Sequence, residues 1–562
     1  MTSLLVLAVI VPIAGALLAF VAGGRWVGRI ALATMPPGLA IAIAIAGSLR
    51  SAGGSLVYLL GGWSPPLGVA LRADWLSAVM MVIAAIVISA IGVFAHAEFS
   101  TGETGEARRP FAFWILLLVI WSALNVVFLS GDLFTLYVAL ELLVFAAVPL
   151  VCLDGRAETV QAALRYLLFA LVGSALYLGG TGLLYGVYGA LDIEWLSGRV
   201  RAEPVTLIAA TLMTVGLLAK TALFPLHLWL PPAHAGAPPA ASAVLSALVV
   251  KGSFFIVVRL WFFVMPAEAA GAQLLGALGA AAILFGSLLA LRQERLKLLV
   301  AYSTVAQIGY LFLMFPLALD AGSARLAGGG ALAGGLMQAI SHATAKAGMF
   351  MAAGMIYAAL RHDRIGALAG VIRVAPLPAL AFLLAGIALI GPPTSGAYLA
   401  KVLLLQAAED TRQWWWSVAV QTGGILTSSY MVMIVAQALV SPGSQTAART
   451  NAVPRLQEAA ALALVLCSLL LGLLPWQAWL PIPIPDVPPG PTGLAAVWSV
   501  VWPILIGVAI AALLGRWGSH RPLRVALWLE QADAALREWP AAGTALLVLS
   551  ILFGAALLLS LQ

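Results

Sequence analysis

Apolar residues fall in runs of about twenty along almost the whole chain, with few breaks between them. A membrane-crossing helix needs about 20 mostly apolar residues. The runs predict sixteen such helices, over residues 3–23, 28–48, 75–96, 111–130, 132–153, 163–187, 205–230, 240–265, 272–291, 296–318, 328–358, 375–407, 414–438, 456–475, 494–515 and 541–560. Short junctions carry Gly, Pro, Asp or Arg, as at Gly131-Asp132 and Arg292-Gln293-Glu294-Arg295. The first run has no basic stretch before it and reads as a membrane helix, not a signal peptide. Residues 521–540 differ. Arg521, Arg524, Glu530, Asp533, Arg537 and Glu538 alternate with Leu523, Leu527, Trp528 and Leu529, which suits a helix lying on the membrane surface or one packed on the protein itself.

Composition agrees with the pattern. Of 562 residues, 63% are hydrophobic and 9% charged, where a soluble protein has about 25% charged. This excludes a soluble globule, a disordered chain and a secreted disulfide scaffold. Cys152 and Cys467 lie far apart and form no metal or iron–sulfur set. A net charge of +7 reflects loop arginines, not a nucleic-acid partner. Gly328-Gly-Gly330-Ala-Leu-Ala333 fits a loose dinucleotide pattern, but no strand precedes it, so it reads as helix packing. The expectation is an all-α, multi-pass protein with no cofactor and no metal. Numbering the runs, odd-numbered loops hold 18 basic residues and even-numbered loops 7, which places the odd loops in the cytoplasm and both termini outside.

Candidate chemistry lies in the lysines. Of 29 basic residues only five are lysine. Lys220, Lys251, Lys346 and Lys401 sit inside apolar runs, and Lys297 opens one. A charge at a helix centre costs about 2.5–3.5 kcal/mol on insertion scales. Arginine keeps its proton, whereas a buried lysine can release one. Arginine in loops and lysine in spans therefore suits a protein that moves protons. One such lysine alone could equally pin two helices by a hydrogen bond. Glu141 stands nine residues past Asp132, about 13.5 Å along a helix, near mid-bilayer. It needs a partner there, and a buried lysine would serve.

Two runs carry helix breakers. Lys220 is followed by Pro225, then Pro231-Pro232; Gly391-Pro392-Pro393 and Gly396 precede Lys401. Unwound backbone at membrane depth must line a cavity or be buried, and paired breaks point to inverted repeats. Gln338, His342 and Lys346 recur every four residues, on one helix face. His227 follows the first break, and His234 sits near a Pro-rich turn. Both are further candidates for the same path.

These residues form a pattern. Leu218-Ala-Lys220-Thr-Ala-Leu-Phe-Pro225-Leu-His227 through His234 and Pro238 resembles the seventh-helix signature of the antiporter-like subunits of respiratory complex I, membrane-bound hydrogenases and Mrp cation/proton antiporters. Asp132-Leu-Phe-Thr-Leu-Tyr with Glu141, Lys297-Leu-Leu-Val-Ala-Tyr302-Ser, Gln307-Ile-Gly309-Tyr, Ser341-His342-Ala-Thr-Ala-Lys346, and Gly391-Pro-Pro393 with Lys401 match in order over residues 75–440. Pro232, and Ala147-Val148 after the glutamate, depart from the family pattern. The Gly61–Gly68 turn looks most like the D-type subunits of Mrp antiporters.

The resemblance implies a fourteen-helix core with two inverted five-helix repeats and broken helices 7 and 12. The implied division is residues 1–110, a repeat over 111–265 (helices 4–8), a repeat over 266–440 (helices 9–13), and C-terminal helices over 441–562. It also implies roles: Glu141 paired with Lys220, Lys251 as connecting base, His342 and Lys346 continuing the axis, and Lys401 as the terminal exchange site. It implies other membrane subunits as partners and a bacterial cytoplasmic membrane. Three functions share such a path: a subunit of a Na+/H+ antiporter, the pump arm of a quinone reductase or hydrogenase, and a proton-driven subunit of inorganic-carbon uptake. A passive scaffold is a fourth, which the lysine pattern disfavours.

Overall fold

The computed structural model describes residues 2–99, 108–266, 268–319, 330–439, 453–476, 494–517 and 524–559. Arg325, Gly328, Gly329, Arg449, Arg521 and Leu523 lie outside these.

The described residues are helical almost throughout, and fourteen helices are long and apolar enough to cross a membrane. In chain order they begin with α1 (Ser3–Ala22) and α2 (Trp26–Ala52). A small antiparallel hairpin, β1 (Leu56–Leu59) and β2 (Ala70–Ala73), follows, with Leu56 opposite Ala73. Its strands hold the glycine-rich turn, where Gly61 and Gly62 take positive φ. The hairpin is the departure from an all-helical expectation. Next come α3 (Trp75–Glu98), α4 (Arg108–Leu129), α5 (Leu133–Val151), α6 (Ala157–Tyr188) and α7 (Pro204–Thr221). Then follow α8 (Pro239–Val264), α9 (Ala269–Arg292), α10 (Leu296–Leu317) and α11 (Gly330–Leu360).

The twelfth predicted run is two helices, α12 (Pro376–Ile390) and α13 (Gly396–Asp410). α14 (Trp414–Leu439), α15 (Arg455–Leu473), α16 (Leu494–Trp517), α17 (Arg524–Leu536) and α18 (Trp539–Leu559) complete the chain. Each of the sixteen predicted runs thus corresponds to helix. Fourteen hold a helix long and apolar enough to cross, the seventh ending early at Thr221; the twelfth is broken after Ile390, and α16 has a shorter apolar stretch, Val501–Leu513.

Asp residues start two of these helices. The Asp132 carboxylate accepts from the Thr135 N–H at 2.8 Å, and Asp74 from the Ser77 N–H at 2.9 Å, each satisfying a free donor of a first turn. Asp74 also accepts from Arg259 at 2.7 Å. Arg259 lies within α8 and not in a loop.

α8, α10 and α11 are buried at nearly every position of their spans, whereas in α1, α2 and α18 fewer than half of the positions are buried. The centre of the molecule is thus the α8–α10–α11 group. It carries Lys251, Lys297, His342 and Lys346, all at most 9% exposed. Outward-facing Phe134, Val138, Leu142, Leu164 and Leu168 on α5 and α6 suit contact with lipid or another subunit.

Candidate functional site

α7 and α6 approach so closely that a Cβ on Gly216 would meet the Gly173 carbonyl oxygen. This contact sets Lys220 beside the next residue of α6, Ser174. Lys220 Nζ donates to Glu141 Oε1 at 3.0 Å, and the Ser174 hydroxyl donates to the same oxygen. The lysine side chain is 4% exposed and the glutamate 15%. A buried ion pair keeps its charges only with such added hydrogen bonds.

α7 ends at Thr221, with Ala222 in a left-handed conformation and Pro225 just beyond. A short helix, Leu230–Gly236, follows before α8. Within α8 the residues Leu245–Val249 form one π turn, a form frequent at functional sites. Beside this turn Lys251 Nζ donates to the Ser246 carbonyl at 2.6 Å. It also bonds His342 Nδ1 of α11. Thr221 and Ser253 share a hydrogen bond at 2.9 Å, between the helices of Lys220 and Lys251.

His342 is fully buried, and its Nε2 has no partner among the described residues. One turn on, Lys346 Nζ bonds the Ser303 hydroxyl and, at 3.2 Å, the Val300 carbonyl of α10. One turn back, Gln338 donates to Gln307 at 2.7 Å, and Gln307 to Thr427 of α14 at 3.5 Å. The predicted polar stripe on α11 thus meets polar partners at each of its three positions.

Lys401 donates to the Ile390 carbonyl at 2.6 Å. Ile390 is the last residue of α12, so its carbonyl has no partner within that helix. Gly391 has φ 93°, which glycine tolerates. Lys401 also borders a cavity of about 570 Å3 with Glu409, Asp410, Gln421 and Trp502. Gly396 starts α13, close against Ser341 and Leu471.

The further candidates divide. Lys297 Nζ donates to the Ala237 carbonyl at 2.9 Å and borders a cavity of about 700 Å3 with Glu98, Arg109, Asp154, Arg156 and Asp363. His234 is fully buried against Phe350, and neither ring nitrogen has a partner among the described residues. His227 Nε2 lies 3.3 Å from Asp533 of α17. Sequence reasoning did not single out Ser174, Ser246 or Thr427, and it named Gln307 and the serine after Tyr302 only within family motifs; serine and threonine are ordinary in membrane helices. Nor did it single out the Asp533 contact, 306 residues from its partner. Residues 524–536 pack on the protein, through Leu529 and Leu536, while Trp528 stays exposed.

Among the described residues no group of three metal-ligating side chains occurs. The arrangement instead sets titratable side chains within hydrogen-bonding reach of one another or of neighbouring hydroxyls and carbonyls, from α5 to α13.

Known proteins resemble the chain along this same stretch. Residues 130–427 match the family described as NADH:quinone oxidoreductase/Mrp antiporter, TM. The N-type subunit of the NADH-quinone oxidoreductase of Desulforudis audaxviator is 33% identical over 405 residues, 70% of this chain and 77% of that one. The D-type subunit of the Na(+)/H(+) antiporter of Alkalihalophilus pseudofirmus is 25% identical over 402 residues, 71% and 79%. A chain of the Mrp complex from Dietzia sp. superposes with a TM-score of 0.76 at 24% identity, covering 91% of this chain and 99% of that one. That last likeness concerns the fold.

Proposed function

The chain belongs to the NADH:quinone oxidoreductase/Mrp antiporter membrane family, and from this premise we propose that it carries protons along its buried lysines as one subunit of a larger membrane complex. The observation carrying the proposal is the Lys220–Glu141 pair, 3.0 Å apart and almost closed to solvent. Opening that pair changes what holds the lysine's charge, and so its hold on a proton. In this reading Lys251 and His342 pass the proton on, Lys346 and Gln338 flank them, and Lys401 exchanges it. Lys297, His227 and His234 line the approaches. Odd-numbered loops face the cytoplasm of a bacterial inner membrane, with both termini outside.

Within this frame we assign the subunit to a monovalent cation/proton antiporter driven by the proton gradient. The similarity to the antiporter's D-type subunit supports it. The higher identity to the N-type subunit of a quinone oxidoreductase favours a second reading, the pump arm of a redox complex. Gentle purification from native membranes separates them: small membrane partners fit the first, iron–sulfur or flavin proteins the second.

The proton path itself is tested in vesicles holding the whole complex. Lys220→Ala and Glu141→Ala should abolish coupled proton movement with assembly largely intact. Lys220→Arg should also fail, since arginine keeps its proton. Wild-type transport in assembled Lys220→Ala would sink the proposal.

A further inference from the structure

The two C-terminal crossings stand apart. α16 packs on α14, and α18 packs on α7 and α9. Between them in sequence lies α17, a strap on the arginine-rich face that carries Arg165, Arg292 and Arg537. Arg292 at the end of α9 donates to Glu530 of α17 at 2.8 Å. One turn on, Asp533 is 5% exposed. One carboxylate oxygen faces His227 Nε2 at 3.3 Å. The other accepts from the Tyr302 hydroxyl at 2.7 Å and from Arg537.

Asp533 has two sides. Outward, it borders a cleft of about 730 Å3 with Gln161, Arg165, Gln293, Arg537 and Glu538. Inward is His227, fully buried between Phe224 and Phe285, with no partner for Nδ1 among the described residues. His227 lies seven residues past Lys220, across the break. Tyr302 precedes Ser303, the hydroxyl on Lys346. The carboxylate thus stands between the cleft and two groups, His227, which follows the break after Lys220, and Tyr302, next in the chain to Ser303.

We propose that Asp533 is a proton relay of the arginine-rich face, taking protons from the cleft and passing them through His227 to the break beside Lys220. This rests on the proton-path reading above. The carboxylate gains a proton from water in the cleft. Its O–H bond breaks as an N–H bond forms at His227 Nε2. The imidazolium ring then swings inward, releases the Nε2 proton to water at the break, and returns with Nε2 bare, Nδ1 keeping its own proton throughout. The charged and titratable groups facing Asp533 are Glu530 of its own helix, Arg537 and Glu538 just beyond it, His227, Tyr302 of α10, Arg292 of α9 and Arg165 of α6.

The test uses the intact complex in vesicles, with proton uptake at the arginine-rich face measured against pH on that side. Asp533→Asn keeps the shape and removes the exchangeable proton. Uptake should fall about tenfold or more at neutral pH. It should recover as that side is acidified, because bulk protons then reach His227 unaided. Asp533→Glu should restore it. A loss in Asp533→Asn that is equal at every pH and unrelieved by Asp533→Glu would mean a clamp only, and would overturn the relay. So would wild-type uptake at neutral pH in Asp533→Asn while Lys220→Ala is inactive. Wild-type uptake in Lys220→Ala would instead remove the proton path on which the relay rests.

Discussion

Glu141 is held by two donors of different kinds. Lys220 brings a charge, and Ser174 brings a hydroxyl that cannot leave with a proton of the path. Removing the hydroxyl leaves the charge pair and takes away one hydrogen bond to an ionised group, about 1.5–3 kcal/mol. Ser174→Ala should therefore slow proton transport by about ten- to a hundredfold, at about 1.4 kcal/mol per decade, without abolishing it. Comparing its rate with that of Lys220→Ala in the same vesicles checks this. The contrast also explains what could be read from the residues alone. A lysine or glutamate in an apolar run carries so large a cost that its position announces a role. A serine costs little there, and only the fold shows that Ser174 faces Glu141, or that Ser303 faces Lys346.

At the scale of helices, the breaks were legible and the close contacts were not. Pro225 and Gly391-Pro392-Pro393 must disrupt backbone hydrogen bonding wherever they stand. The π turn at Leu245–Val249 has no proline or glycine to mark it, and its register follows from packing around Lys251. The α6–α7 contact depends on glycine for another reason. Gly173 and Gly216 are two of 55 glycines, and only their mutual approach singles them out. A methyl at Gly216 would strike backbone, which cannot rotate away as a side chain can. Gly216→Ala should push the helices apart, costing about 1–3 kcal/mol as overpacking does. It should also widen the Lys220–Glu141 separation. A lowered unfolding temperature of the purified complex, with proton transport falling more than the loss of folded protein explains, is the expected result. A glycine with an open Cβ direction, such as Gly182→Ala, is the control.

Across the whole molecule, two kinds of contact hold the strap α17 down. Arg292–Glu530 is an exposed pair, with side chains 35% and 40% accessible; such pairs contribute about 0–1 kcal/mol. Asp533 is buried, and removing it takes one acceptor from Arg537, which is a third exposed and still bonded to Tyr302, and leaves the fully buried His227 facing no partner, at about 1–3 kcal/mol. The buried contact should decide docking. Arg292→Ala should leave α17 as resistant to protease as in the wild type, whereas Asp533→Ala should expose it to cleavage. Acid should act in the same direction. Burial is the largest influence on the Asp533 carboxyl and raises its pKa, but the His227 and Tyr302 hydrogen bonds and the Arg537 charge together hold it below the usual carboxylate value. A carboxyl lowered on folding stabilises at every pH above its unfolded value, and that contribution fades as pH falls through the folded one. Docking should accordingly persist from neutral pH down into the ordinary carboxylate range and loosen only below it. Asp533→Asn should remove that acid step from the protease profile. A strap released instead near pH 6, or unaffected by Asp533→Ala, would place the anchor elsewhere, with Leu529 and Leu536 as the next contacts to truncate.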